Sequence, residues 1–151
     1  MKKLIDVTEQ YINMDAPGDG RILYESGYNH NRHDEEISMA TWIHDNLGGE
    51  IILLSETGGT FGARRSDYEW KGRYWELKTI KSEKAVDSAL RKAISQIYDK
   101  PGGVILDFGK NNVRLPQIES AIKSRIESSC RFKIDVMIII NGQLRKVLRF
   151  D

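Results

Sequence analysis

The spacing of apolar residues between positions 34 and 47 is that of a helix. In the segment DEEISMATWIHDNL, Glu36, Ala40, Ile43 and Leu47 fall on one stripe, and two glycines follow directly. This pattern predicts an amphipathic helix that ends at the glycines. The carboxylate of Glu36 therefore begins a stripe whose other members are expected to be buried.

Other segments of the chain predict further strands and helices. In chain order they are a strand at 51–54 (IILL), a glycine-rich loop at 58–62, a hairpin within SDYEWKGRYWELKTI, a helix at 82–98, a strand at VILDF, a helix from Leu115 to about Ser129, and a hairpin around Asn141-Gly142. The two hairpins are predicted at Lys71-Gly72 and Asn141-Gly142, because glycine supplies the positive φ angle that a tight turn needs. The order predicts an α/β fold with a mixed central β-sheet flanked by helices.

The hairpin around Lys71-Gly72 has a definite predicted register. Two aromatic-rich runs flank the turn, so Trp70 is expected opposite Arg73, and Tyr68 opposite Trp75. Continuing the same register, Asp67 faces Glu76, as cross-strand neighbours do in an antiparallel pair. The sequence therefore predicts two carboxylates side by side.

Two carboxylates in such a pair repel each other, which calls for a compensating cation. Mg²⁺ accepts one or two carboxylates and keeps several waters, which suits Asp67, Glu76 and the backbone carbonyl of Leu77. Lys78 is on the same strand face as Glu76, because side chains alternate with period two. Its ammonium is then placed to orient or deprotonate an attacking water. Glu-x-Lys alone is common on solvated strands, so the prediction depends on the whole combination.

Length and composition are those of one folded domain. The chain has 151 residues, of which 40% are hydrophobic, enough for one core and too few for two comfortable domains. We divide it into residues 1–32, an N-terminal tether or lead-in segment rich in Gly, Asn and Asp, and 33–151, the domain itself. There is no apolar run of about 20 residues that would span a membrane. The first residues lack the apolar region of a signal peptide, although a module of a longer secreted protein stays open.

The charge balance excludes binding of nucleic acid by net charge alone. Lys and Arg number 23 against 22 Asp and Glu, giving a formal net charge of +1, so contacts to phosphates must come from local patches. The candidates are Arg64, Arg65, Lys81 and Arg125. Cys130 is the single cysteine, which excludes an internal disulfide.

The combination of a helix carboxylate, an Asp and a Glu-x-Lys hairpin resembles the PD-(D/E)xK nuclease superfamily over roughly Asp34 to Phe108. Asp67, Glu76 and Lys78 match its signature positions, and Ser66 stands where the superfamily has proline. The resemblance implies a catalytic set of Glu36, Asp67, Glu76 and Lys78 with bound Mg²⁺. The supporting candidates are Gln96, Lys92 and Glu35; Glu35 is the alternative helix carboxylate.

A closer resemblance rests on several phrases of the sequence. His33-x-x-Glu36, GGEIILLSE, YEWKGRYWELK, GGVILDF and IDVMIIINGQLRKVLRF together are similar to the tRNA-cleaving C-terminal toxin domains of contact-dependent growth inhibition proteins (CdiA-type). This implies a tRNA substrate, favoured over DNA, and a cognate immunity protein. It also implies action in the cytoplasm of a target cell, after delivery as the C-terminal module of a larger secreted protein.

Several alternatives stay open at this stage. A DNA endonuclease of the same superfamily is one, and a non-catalytic nucleic-acid-binding module is another. His30 and His33 are expected in cap or surface roles, because no cysteine or third nearby histidine completes a zinc site. Asp107 is expected at a strand end, and the three tryptophans are expected in the core rather than on a base-stacking surface.

Overall fold

The computed structural model describes residues 4–55, 66–96, 102–129 and 133–150. Its elements in chain order are β1 (Leu4–Asp6), α1 (Thr8–Met14), β2 (Ile22–Tyr24), α2 (Asp34–Asn46), β3 (Ile51–Leu53), β4 (Tyr68–Trp70), β5 (Arg73–Thr79), a short 3₁₀ helix (Glu83–Ala85), α3 (Val86–Gln96), β6 (Gly102–Asp107), α4 (Leu115–Ser129), β7 (Ile134–Ile140) and β8 (Gln143–Phe150).

Within the described residues, eight strands form one mixed sheet in the order β1-β8-β7-β6-β5-β4-β3-β2. The central strands β5, β6 and β7 run parallel to one another. β4 pairs antiparallel with β5 and with β3, and β8 pairs antiparallel with β7 and with β1. The predicted α/β fold with a mixed central sheet is therefore confirmed.

Helices cover both faces of this sheet. Val104 and Leu106 of β6 pack in a cluster with residues of α3 and α4, whereas Ile105 packs with residues of α1 and α2. Successive side chains of a strand point to opposite faces, so α3 and α4 lie on one face and α1 and α2 on the other. This explains why β6 and β7 are apolar along almost their whole length.

Both predicted tight turns are present. Lys71 and Gly72 have φ angles of 50° and 72°, and Asn141 and Gly142 have 54° and 70°, the left-handed values that two-residue hairpin turns require. Trp70 pairs with Arg73 and Tyr68 with Trp75, as expected. The register that brings Asp67 towards Glu76 is thus set by the turn.

Several predicted helices and strands have different end residues in the structure. α2 ends at Asn46, and β3 ends at Leu53 rather than at 54. The helix expected at 82–98 is a 3₁₀ turn followed by α3, and residues 97 and 98 lie outside the described parts. The glycine-rich loop expected at 58–62 lies outside them as well.

The division at residue 32 needs correction, because the described part of the N-terminal segment belongs to the same fold. β1 pairs with β8, and β2 adds a parallel strand beside β3. α1 buries Tyr11, which is 1% exposed. Strands of three residues carry almost no periodic signal. The sequence therefore predicted a tether where the structure has two paired strands.

A buried group that we name the Asp135 cluster (Tyr11, Arg73, Asp135, Arg149) fastens α1 to the sheet. Asp135 is 0% exposed and accepts hydrogen bonds from Arg149 Nε at 2.9 Å and Nη2 at 3.0 Å. Arg73 Nε lies 3.2 Å from its carboxylate, and the Tyr11 hydroxyl donates to it. Its hydrogen bond to Asp135 raises the pKa of Arg149. A buried charge is tolerated when it is paired and hydrogen-bonded in this way.

One close contact in the centre of the sheet depends on glycine. Gly103 on β6 pairs with Trp75 on β5, and a Cβ at position 103 would lie 2.4 Å from the indole ring. Trp75 itself is fully buried. Because Gly103 has no side chain, the ring of Trp75 can lie against β6 at this position. Trp75 directly precedes Glu76 in β5.

None of the described helices is both long enough and apolar enough to cross a membrane.

Candidate functional site

Asp67 lies one residue before β4 and is tied to β5 by two hydrogen bonds. Its backbone N–H donates to the Trp75 carbonyl at 2.9 Å, and its Oδ2 accepts from the Leu77 N–H at 2.7 Å. The second bond is charge-assisted and holds the carboxylate against the strand. The sequence placed Asp67 opposite Glu76, and in the structure the two carboxyl groups are close enough for Asp67 to affect the pKa of Glu76.

Glu76 is the most deeply buried carboxylate of this region, with 4% exposure. Its Oε2 atom is buried and has no hydrogen-bond partner among the described residues. Burial raises the pKa of Glu76 to about 9, and the hydrogen bond to Asp67 and the negative charge of Asp67 act in the same direction, while Lys78 opposes them. An acid in this environment resists ionisation unless a cation is present.

Glu36 reaches the same place from the first turn of α2. The Tyr68 hydroxyl donates to the Glu36 carbonyl at 2.6 Å, which fastens the beginning of the helix to β4. Its side chain is 17% exposed, and His33 Nδ1 lies 2.5 Å from Glu36 Oε2. Burial and the negative charge of Asp67 raise the pKa of Glu36 to about 7, against the opposing effect of His33.

We call Glu36, Asp67 and Glu76 the acidic cluster. It lines an open cleft of about 370 Å³ between α2 and the β4–β5 hairpin, together with Leu77 and with Asn31, Arg32, His33, Asp34, Glu35 and Thr79. Because the cluster comes from a helix and two strands of the core, its geometry is set by the fold.

The oxygen donors of this cleft are of the type that a hard divalent cation prefers. In a β-strand the N–H and C=O of the same residue point to the same side. The Leu77 N–H donates to Asp67, so the Leu77 carbonyl faces the same side of β5 as Asp67. Asp67, Glu76 and this carbonyl therefore fit Mg²⁺ by chemistry, and the unpartnered Glu76 Oε2 supplies a further oxygen donor. Within the described parts of the chain, no three His, Cys, Asp or Glu side chains already have the arrangement of metal ligands.

The predicted lysine lies beside the acidic cluster. Lys78 is half-buried on β5, and its positive charge lowers the pKa of Glu76. It does not line the cleft. Glu35 does line it, and Glu35 Oε2 accepts a hydrogen bond of 3.3 Å from Thr79 Oγ1.

The two supporting residues of α3 are not brought to the cleft. Lys92 is exposed, and Gln96 is half-buried in the last position of the helix. The Gln96 Oε1 atom is buried without a hydrogen-bond partner among the described residues. Neither side chain lines the cleft, so the structure gives them no direct part in it.

The four residues expected to bind phosphate have different outcomes. Arg64 and Arg65 lie outside the described residues, and Lys81 is exposed beyond the end of β5. Arg125 forms a two-point ion pair with Asp87, at 2.7 and 2.9 Å. Its guanidinium already has a carboxylate partner, which disfavours the predicted role for Arg125.

Two residues of this region were not assigned to the site from the sequence. His33 was expected in a cap or surface role; it occupies the N-cap position of α2, and its side chain also contacts Glu36. Tyr28 is 8% exposed, and burial and the charge of Glu36 raise its pKa. The spacing of His33 and Glu36, three residues apart at a helix start, was the available signal. Nothing in the local sequence pointed to Tyr28.

The fold and the cleft together define an α/β protein with an acidic site where β4 begins, beside β5 and the first turn of α2. No protein-family model and no curated protein matches the chain. Its fold is similar to one chain of a solved structure described as the CdiA-CT/CdiI toxin and immunity complex from Burkholderia pseudomallei. The TM-score is 0.55 at 13% sequence identity, and the match covers 83% of this chain and 98% of that chain. At this identity the likeness shows a shared fold.

Proposed function

We propose that this protein is a Mg²⁺-dependent endonuclease with a PD-(D/E)xK-type core that hydrolyses phosphodiester bonds of RNA, tRNA in the first place. The observation that carries the proposal is the acidic cluster: Glu36, Asp67 and Glu76 converge at one open cleft, and Lys78 lies beside Glu76. A purely structural cluster would be expected to have cationic partners for its buried carboxylates.

Asp67, Glu76 and the Leu77 carbonyl are the groups that would hold the cation. Bound there, Mg²⁺ would polarise the scissile phosphate and lower the pKa of a coordinated water. The hydrogen bond of 2.7 Å from the Leu77 N–H keeps the Asp67 carboxylate in place before any substrate arrives. Such positioning by the protein reduces the reorganisation needed during the reaction.

The other residues of the site handle the proton and the developing charge. Lys78 orients the attacking water and offsets negative charge on the phosphate. The Glu36 carboxyl, whose pKa is raised to about 7, can hold or release a proton at Oε2 near neutral pH. His33 Nδ1, 2.5 Å away, is the adjacent group that can exchange this proton. In hydrolysis a P–O bond to the water oxygen forms and the P–O bond to the leaving sugar oxygen breaks.

The choice of RNA over DNA is supported by charge and by the fold. A net charge of +1 suits a shaped, partly single-stranded substrate better than tight non-specific duplex binding. The fold shared with a toxin and immunity complex suggests a toxin that acts in the cytoplasm of a target cell. We further propose delivery as the C-terminal module of a larger secreted protein, and a cognate immunity protein as partner.

An experiment with two substrates tests the activity. The purified protein is incubated with Mg²⁺ and either total cellular RNA or plasmid DNA, and the Asp67→Asn variant serves as matched control. We expect discrete shortened tRNA bands with the wild-type chain, and none with the variant or in excess EDTA. Cut plasmid with intact RNA would instead establish the DNA endonuclease.

A second candidate role arises because the similar chain belongs to a complex of a toxin with its immunity protein. Induced expression in a host without any partner separates the two roles. A toxin stops growth, and the Asp67→Asn variant does not. Normal growth together with intact RNA and DNA in the cleavage assay would leave the immunity role or a binding module.

A further inference from the structure

A second cavity, of about 530 Å³, opens beside the acidic cleft. Apolar side chains of Met39, Trp42 and Ile139 line it. Met39 and Ile139 are 6% and 1% exposed, so they belong to the core and hold its wall in place. Cavities of this size and lining are typical of sites that enclose a small organic group.

The cavity and the acidic cleft are neighbours. Asp34, Glu35 and Thr79 line both of them, and Thr79 Oγ1 donates a hydrogen bond to Glu35 Oε2 between these shared residues. The cavity is therefore the nearest apolar space for a group next to a phosphate that lies at the acidic cluster.

Trp42 differs from the other two tryptophans. Trp70 and Trp75 are 1% and 0% exposed, whereas Trp42 is half-buried and lines the cavity. Its indole N–H donates to the Gly142 carbonyl at 3.0 Å, which joins α2 to the β7–β8 turn and fixes the ring. A fixed, accessible aromatic ring is the usual surface on which an unpaired base packs.

The charges around the cavity decide which part of a nucleotide can enter. Three carboxylates line it, those of Asp34, Glu35 and Asp107, against one ammonium, that of Lys110. Such a surface repels phosphate groups. Ionised carboxylates only accept hydrogen bonds, and aspartate and glutamate recognise bases through amino groups such as cytosine N4.

We infer that this cavity is a nucleobase pocket, which receives one unstacked base carrying an exocyclic amino group, adjacent to the scissile phosphate. The inference rests on the proposed function for its link to cleavage. Adenine, guanine and cytosine offer the required amino donors, and uracil does not. An unstacked base requires a single-stranded nucleotide, as in an RNA loop or end.

A binding experiment without cleavage tests the pocket. Intrinsic tryptophan fluorescence is measured in EDTA while guanosine, adenosine, cytidine or uridine is added. We expect saturable quenching by the three amino-bearing nucleosides, with uridine about tenfold weaker, and loss of the signal in Trp42→Phe. Absence of saturable quenching, equal binding of uridine, or unchanged quenching in Trp42→Phe would overturn the inference.

Two exposed positions on α2 provide matched variants. Ser38 lines the cavity and Thr41 does not, so Ser38→Phe fills the pocket while Thr41→Phe adds the same ring elsewhere. We expect Ser38→Phe to weaken nucleoside binding by about tenfold or more, and Thr41→Phe to leave it unchanged. Equal effects of the two variants would contradict the pocket.

Failure of the pocket and failure of the nuclease are distinguishable. Nucleoside binding in EDTA without any cleavage in Mg²⁺ would support the pocket and remove the activity. Cleavage without nucleoside binding would keep the nuclease and remove the pocket.

Discussion

Glu76 and Asp135 are two buried carboxylates on the same sheet, and they differ in their cationic partners. In the Asp135 cluster, one carboxylate has two guanidinium groups and a tyrosine hydroxyl as partners. In the acidic cluster, Glu76 contacts a second carboxylate, and its Oε2 has no hydrogen-bond partner among the described residues. Lys78 only partly offsets this charge.

The difference separates a structural use of buried charge from a functional one. The carboxylate of Asp135 has its hydrogen-bond partners and holds α1, β5, β7 and β8 together, and removing it leaves two half-buried guanidinium groups without that partner. Carboxylates that repel one another destabilise the chain by themselves, so they become favourable when a cation or a proton is added. Perturbed acids in an open cleft are typical of functional sites.

The largest expected effect comes from breaking the satisfied cluster. Asp135→Ala should lower the free energy of unfolding by about 3–5 kcal/mol, because the half-buried guanidinium groups of Arg73 and Arg149 would lose their carboxylate partner. Urea denaturation measures this. As a control, Asp87→Ala removes the surface partner of Arg125 and should leave the midpoint unchanged. If Asp135→Ala shifted the urea midpoint as little as Asp87→Ala, the Asp135 cluster would not stabilise the fold.

Replacing an acid in the other cluster should act in the opposite direction. Without divalent cations at pH 8, Glu76→Gln should raise the free energy of unfolding by about 1–3 kcal/mol, because the wild-type chain must protonate Glu76 in order to fold at this pH, whereas the amide is already neutral. Mg²⁺ should raise the melting temperature of the wild-type protein, and the Glu76→Gln variant should lose this increase. Destabilisation in EDTA, or an unchanged Mg²⁺ effect, would argue against a cation site.

The stability of the metal-free protein should also depend on pH. The pKa values of Glu36 and Glu76 are raised from 4.5 to about 7 and about 9. Below pH 4.5 both groups are protonated in the folded and unfolded chain. Between pH 4.5 and about pH 9 the unfolded chain releases these protons at lower pH than the folded chain does. The metal-free protein therefore loses stability as pH rises through this range.

The measurement is the melting temperature in EDTA over about four pH units, from about pH 5 to about pH 9. Mg²⁺ should stabilise more at the high end, because its ligands must be deprotonated. The double variant Glu36→Gln, Glu76→Gln should show a flatter profile. A wild-type profile as flat as that of the variant would mean that the pKa values are not raised.

Local sequence signals were sufficient for the hairpin and for its two acids. Lys71-Gly72 and Asn141-Gly142 fix the turns, and the turn register alone brings Asp67 towards Glu76. The stripe from Glu36 to Leu47 correctly predicted α2. These features depend on residues close together in the chain, which is why one sequence was enough.

The features that were missed depend on distant partners. Asp135 stood alone in the apolar run KIDVMIII, and its partners Tyr11, Arg73 and Arg149 are spread over the whole chain. β1 and β2 have three residues each and gain their places only by pairing with β8 and β3. A lone charge in a buried strand does indicate that partners exist, but not which residues they are.

Single-turnover cleavage of tRNA in Mg²⁺ tests most directly whether the acidic cluster and Lys78 form the active site of an RNA-cleaving enzyme. Lys78→Met should reduce the rate by about 10²–10⁴-fold while the melting temperature stays near that of the wild type. Lys123→Met, the same change at an exposed position of α4, should retain the full rate. Equal rates for Lys78→Met and the wild-type protein would contradict the account.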